Sequence, residues 1–240
     1  MPVEIPARKT PASKEQVIET LWKAWMGYFG AAPRKESIWV LVAQWGLETG
    51  WGASMWNWNF GNVKSKDGDG YDFQFYECGE EITQAEAQRW VAADPSLVKI
   101  VRTYTSKKGI PMASVTVKPK HWACRFRAFD DILEGATDYL ALLVKRFTLA
   151  WPYVVDGDPV AFSHALKQQG YYTDDEAHYT KTLVGTYVAI SKLAFDYDSL
   201  PALTEDEKER IGNLVSLTIY QSVGEYLDAD DVVAEDEPNS

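Results

Sequence analysis

The sequence predicts a mainly α protein of the α+β class, one helical domain carrying a small β lobe, and three observations carry that prediction. Apolar residues recur at helical spacing from about residue 13 to 49 and again after Phe129. Between about residues 53 and 128 the helical period vanishes, and turn chemistry with strand-like composition takes its place. Capping signals stand where the periodic windows begin. With 46% hydrophobic and 25% charged residues in a chain of 240, the composition is that of a folded globular protein, and the length suits one substantial core.

Residues 1–12 contain Pro and Lys and have no period, so they read as an extended lead-in. Ser13-Lys-Glu-Gln16 has the form of a capping box, and Val17, Leu21, Ala24 and Tyr28 follow at near-helical spacing. After Pro33, Ile38, Leu41, Val42 and Trp45 define one apolar face of a second helix. Glu48 continues it, roughly 80° round from Ile38 and close to Leu41 and Trp45. In the central region Asp67-Gly-Asp-Gly70 is turn chemistry, Tyr71–Tyr76 and Ser114–Val117 are strand-like, and Gln84–Ala92 fits a short helix.

Helical order returns with Asp131-Ile-Leu-Glu134, followed by the stripe Ala136, Tyr139, Leu140, Leu143 and Phe147. Asp158-Pro159 reads as an N-cap with proline at the first helical position, with Gly170 as the stop. Another helix is expected over Glu176–Leu193, and Thr204-Glu-Asp-Glu207 begins one more that contains Ile211, Leu214, Val215, Ile219 and Val223. The expected organisation is a lead-in over 1–12, one domain over 13–200, a C-terminal helix over 201–227 and a disordered acidic tail over 228–240.

The formal net charge of −11 argues against a nucleic-acid partner, which would require a basic face. No stretch approaches a membrane span, so membrane insertion is not expected, and the N-terminus has no apolar run of the length a secretory signal needs. Cys78 and Cys124 cannot build a disulfide scaffold or a zinc site; one bridge and two free thiols stay equally open. His121, His164 and His178 are scattered without zinc spacing, and Asp67, Asp69 and Asp72 lack the twelfth-position Glu of a calcium loop. Neither a metal nor another cofactor is expected. With no Gly-x-Ser-x-Gly and no phosphate-binding glycine loop, acyl-transfer and nucleotide chemistry have no support.

The 10 Trp and 13 Tyr include several in polar surroundings, where flat amphipathic rings suit sugars as well as packing. Glycosidic cleavage needs a protonated acid beside the leaving oxygen and stabilisation of positive charge at the anomeric carbon. Glu48, in Gln44-Trp-Gly-Leu-Glu-Thr-Gly-Trp-Gly52, has suitable surroundings for the acid. Aromatic neighbours desolvate it, and the negative end of the helix dipole also favours the protonated form.

Four segments in order resemble the glucosaminidase-type peptidoglycan hydrolases, glycoside hydrolase family 73-like. Gln44–Gly52 is similar to the family's Leu-Glu-(Ser/Thr)-Gly-Trp-Gly, Asn59-Phe-Gly-Asn-Val-Lys64 to its Asn-(Leu)-Phe-Gly-Ile-Lys, Phe126-Arg-Ala-Phe129 to its Phe-Arg-x-(Phe/Tyr), and Gly170-Tyr-Tyr-Thr-Asp174 to its Gly-Tyr-Ala-Thr-Asp. The resemblance spans about residues 13–195. It implies a lysozyme-like fold whose β lobe forms a substrate cleft, and cleavage of the bond between N-acetylglucosamine and N-acetylmuramic acid with Glu48 as catalytic acid. The implied partner is the peptidoglycan glycan strand. A muramidase or lytic transglycosylase on the same fold, and a non-catalytic wall-binding or phage-particle assembly protein, are the alternatives.

The resemblance also implies a second carboxylate in Phe75-Tyr-Glu-Cys-Gly-Glu-Glu-Ile82. Among Glu77, Glu80 and Glu81, alternation from Phe73 and Phe75 favours Glu77. Tyr171 and Asp174 match the fourth motif, although Tyr172 replaces its Ala, and Tyr179 follows two residues later than the family spacing. Either Tyr171 or Tyr179 is expected to border the acid. Asn59 and Asn62 offer amides for an N-acetyl group, and Trp51, Trp56, Trp58 and Phe60 offer rings for sugar faces. With no signal visible, the wall is expected to be reached by a phage particle, a holin-type lesion or non-classical secretion. The C-terminal helix and acidic tail are then expected to dock a partner.

Overall fold

The computed structural model describes residues 2–106, 109–172 and 175–216. The chain is α+β and mainly helical, and its contacts divide it into two compact units. One unit is Met1–Arg8 with Asn62–Ala128, and the other is Lys9–Gly61 with Phe129–Ser240. Among the described residues no helix is long and apolar enough to cross a membrane.

The larger unit is helical. Helix α1 (Lys14–Phe29) starts on the expected capping box: the Ser13 hydroxyl accepts from the Gln16 amide while the Gln16 side chain accepts from the Ser13 amide. Helix α2 (Lys35–Thr49) buries Ile38, Val40, Leu41, Val42, Ala43 and Trp45. That is more than one face, and a helix apolar nearly all round must run through the middle of its unit. The later helices α4 (Ile132–Arg146), α5 (Trp151–Asp156), α6 (Pro159–Gln168) and α7 (Glu176–Ser191) complete the packing. Helix α2 lies against α1, α5 and α7, while α1 also packs on α4 and α6 on α7. Asp131 caps α4 by accepting from the Leu133 and Glu134 amides, and Asp158 caps α6 through Val160 and Ala161, as the sequence predicted. Helix α5 was not anticipated, because Trp-Pro-Tyr-Val-Val-Asp is too short to show a period.

A further helix, α8 (205–216), begins on a second capping box between Thr204 and Glu207. Ile211 is fully buried in the core of this unit, and its side chain fills the space beside Gly27 that a Cβ there would need. Lys23 pairs with Glu207 at 3.0 Å, Arg210 with Asp131 and Glu134, and Lys145 donates to the Val215 carbonyl. Over the described part of this helix, Ile211 and Val215 are used inside the unit. The acidic tail over 228–240, with Ile219 and Val223, lies outside the described residues.

The smaller unit holds the strands. The intervening elements are β1 (Phe73–Phe75), β2 (Cys78–Thr83), α3 (Gln84–Ala93), β3 (Val98–Thr105), β4 (Pro111–Val117) and β5 (Arg125–Arg127). A two-stranded antiparallel ladder pairs Phe73 with Arg127 and Phe75 with Arg125. A three-stranded antiparallel sheet runs in the order β2-β4-β3. Its inner face, Ala113, Val115 and Val117, packs with Ala87 of α3, Val98, Ala123, Cys124 and Phe126. The lead-in is anchored: Ile5 donates to the Phe73 carbonyl at 2.7 Å, and the Phe73 amide donates to Val3. Asp69 accepts from the Lys66 and Tyr71 amides and Asp72 from the Val3 amide, so these carboxylates hold the turn and the lead-in.

Candidate active site

The larger unit contains one constellation with the chemistry the sequence predicted. Glu48 is the penultimate residue of α2, and the chain beyond it turns sharply. Gly50 and Trp51 adopt left-handed φ angles of 56° and 59°. Both amides donate back to the Gly46 carbonyl, closing the helix with a doubled cap. Gly50 is suited to that conformation because it carries no Cβ. The turn folds the Trp51 ring against Gly46, where a Cβ would lie 2.8 Å from the ring. Thr49 locks the turn, donating to the Trp45 carbonyl and accepting from the Gly52 amide. The pattern Gly-Leu-Glu-Thr-Gly-Trp-Gly thus has a local reason: it ends a buried helix abruptly and leaves the Glu48 carboxyl at the helix terminus.

Protein atoms pack round the Glu48 carboxyl, although the residue keeps a partly open surface. Burial raises its pKa from the ordinary 4.5 to about 7, and the hydroxyl of Tyr179 opposes this by donating to Oε1 at 3.1 Å. With Oε1 held as an acceptor, the acid proton belongs on Oε2. Tyr179, on the first turn of α7, is buried, and its own hydroxyl is pushed far above the ordinary phenol range by desolvation and by the Glu48 charge. It is therefore a permanent donor.

Two polar residues behind this pair were not predicted. Gln44 lies one helical turn before Glu48 and is fully buried. Its Oε1 accepts from the Tyr139 hydroxyl at 2.5 Å, while its buried amide nitrogen makes no hydrogen bond among the described residues. Tyr172 stacks on Tyr179 with ring centroids 3.7 Å apart and planes 9° apart, and its hydroxyl is fixed by Ser163. Two hydrogen-bonded pairs, Tyr139 with Gln44 and Tyr179 with Glu48, so stand in an otherwise apolar core. A signal was present: Gln44 interrupts the apolar run Val40–Trp45 at four residues from Glu48.

The other sequence candidates fall in different places. Tyr171 is near enough for the Glu48 and Tyr179 charges to raise its pKa after desolvation, while its ring packs edge-on to Phe147 at 4.9 Å. Tyr179, not Tyr171, makes the hydrogen bond to the acid. Trp51 is 36% exposed and the Lys14 ammonium lies 4.1 Å over its ring, so it presents an aromatic surface beside the acid's turn. Phe60 and Asn59 both lie inside the larger unit. Phe60 is 1% exposed and packs with Trp45 and Tyr139, and Asn59 is 0% exposed, because the turn that carries them folds into the core. Asp174 lies outside the described residues.

Asn62 and Glu77 belong to the smaller unit. Asn62 takes a left-handed φ of 48°, and its side-chain oxygen accepts from the Tyr76 hydroxyl at 3.0 Å, so that oxygen helps hold its own turn. Glu77 is exposed, but β1 stops at Phe75, so the alternation expected to carry Glu77 on the strand face does not reach it. Strand β2 holds the other two carboxylates. Glu80 pairs with Lys64 at 2.8 Å, and Glu81 is engaged by Ser114, Tyr104 and Arg102.

No protein-family model matches the chain, and no curated protein matches it. Among solved structures it is similar to the catalytic domain of the autolysin Auto from Listeria monocytogenes. That likeness has a TM-score of 0.41 and 14% identity, and covers 77% of this chain and 88% of the other. It is too loose to carry family membership.

Proposed function

We propose that this protein is a peptidoglycan hydrolase of the glucosaminidase type, cutting the β-1,4 bond between N-acetylglucosamine and N-acetylmuramic acid with Glu48 as general acid. The observation that carries the reading is a carboxyl held at about 7 by burial, oriented by Tyr179 and still partly open to its surroundings. A group with that pKa keeps a substantial protonated fraction near neutrality, as proton donation to a leaving oxygen requires. The choice of bond rests on the four ordered motifs. Glu77→Gln asks whether that carboxylate takes part: abolished turnover would show that it does, and spared turnover leaves charge stabilisation to the substrate's own acetamido group.

The test is mass spectrometry of fragments released from purified peptidoglycan by the wild-type protein and by Glu48→Gln. Fragments with reducing N-acetylglucosamine ends, absent with the variant, are expected. Reducing N-acetylmuramic acid ends would show a muramidase and anhydro ends a transglycosylase. Binding to walls with no fragment from either protein would show a non-catalytic binder.

A further inference from the structure

The smaller unit contains a pair of thiols that the proposed hydrolysis does not use. Cys78 opens β2, where it faces Val117 of β4 across the ladder. Cys124 ends the short 3-10 turn Trp122–Cys124 that leads into β5, and its sulfur donates to the carbonyl of the same Val117 at 3.1 Å. The two sulfurs stand 2.9 Å apart. A disulfide bond is about 2.05 Å long, so closure needs a movement of about one ångström.

The surroundings leave one of the two sulfurs within reach. Cys124 is fully buried, whereas Cys78 is half-buried and so is the sulfur a reagent can meet. The Lys64 ammonium lies 3.8 Å from the Cys78 sulfur, held there by Glu80 and the Ala123 carbonyl. The contact between the two thiols and burial push the Cys78 thiol up, with the Lys64 ammonium opposing, while the same contact draws the Cys124 thiol down, so the pair shares its protons. We infer that Cys78 and Cys124 form a redox-responsive site that closes to a disulfide by exchange with a small-molecule disulfide.

The step balances as follows. Cys78, giving up its proton as it reacts, attacks one sulfur of the reagent, forming a mixed disulfide and expelling one thiolate, which takes up the proton Cys78 lost. Cys124 then gives up its proton and attacks the Cys78 sulfur. The protein S–S bond forms, the second reagent thiolate leaves, and it takes that proton. Two protein thiols are oxidised and one reagent disulfide is reduced to two thiols. The bridge links positions 46 apart in sequence, enclosing β2, α3, β3 and β4. A cross-link over a loop of that length restricts the unfolded chain enough to raise the thermal midpoint by on the order of 10 °C. An oxidising compartment then selects the closed form and a reducing one the open form.

The experiment uses the full chain, reduced, freed of reductant and incubated with oxidised glutathione. Thiols titratable in denaturant are expected to fall from the two in the sequence to none. Intact mass should drop by that of two hydrogens, and a single linked peptide should join Cys78 to Cys124. The thermal midpoint should rise and return on adding dithiothreitol, and neither Cys78→Ser nor Cys124→Ser should show the reversible rise. Two persistent thiols, stable glutathione adducts on both cysteines, or links between separate molecules would each overturn the inference.

Discussion

Replacing Glu48 by Gln should make the protein more stable at neutral and alkaline pH while removing its activity. In the folded chain the carboxyl titrates at about 7, and in the unfolded chain near the ordinary 4.5. Between those values the folded state holds a proton that the unfolded state has released, so the wild type loses stability as pH rises through the interval and is level above it. The interval from 4.5 to about 7, at about 1.4 kcal/mol for each pH unit, makes about 3 kcal/mol. The partly open surface of the residue trims this toward about 2 kcal/mol. Glutamine does not titrate, and its amide oxygen can still accept from Tyr179. Urea unfolding of both proteins at about pH 4 and about pH 8, followed by tryptophan fluorescence, gives the two differences in stability. Their change from acid to alkali should be about 2–3 kcal/mol in favour of the variant, because every other titrating group cancels. A difference that stays flat, or moves in favour of the wild type, would refute the placement of Glu48 in a desolvated site.

Three further outcomes follow from the same geometry. Tyr179→Phe keeps the stack on Tyr172 but removes the donor that lowers the Glu48 pKa, so the alkaline fall of kcat/KM should move to higher pH, with a stability loss of about 1 kcal/mol; an unmoved or acid-shifted limb would contradict this. Phe60→Ala should destabilise by about 3–5 kcal/mol in urea titrations, because the ring is fully packed; a large rise in KM with unchanged stability would restore the sugar-stacking role. Gly135→Ala should destabilise by about 1–3 kcal/mol or more, since the new methyl would stand 1.9 Å from the Trp58 carbonyl oxygen; an unchanged urea midpoint would show that the turn yields easily.

The helical half of the fold was legible because capping chemistry and periodicity agree there. Ser13 with Gln16, Asp131, Asp158 and Thr204 with Glu207 all cap helices where the sequence placed them. The strands were read less well. The Cys-Gly-Glu-Glu-Ile-Thr of β2 has two charges and a glycine, and β3 is mostly exposed on both faces, so neither shows a clean alternation. Glu48 was singled out by its motif, but what surrounds it was not legible: Tyr139 comes 95 positions after Gln44 in sequence, and Tyr179 comes 131 after Glu48. The burial of Phe60 and Asn59 was not legible, because an Asn-Phe-Gly turn looks the same in sequence whether it faces solvent or folds inward. The separation into two units left no trace in composition, since 46% hydrophobic content says how much can be buried and not in how many cores.

The central claim, that Glu48 gives its proton to a glycosidic leaving oxygen, is tested most directly by the rate at which purified peptidoglycan gains reducing ends with wild type and with Glu48→Gln at about pH 6. Loss of a positioned general acid predicts a fall of about 10²–10⁴-fold, with the far-ultraviolet circular dichroism of the two proteins superimposable. Turnover by the variant within a few-fold of wild type would contradict the assignment.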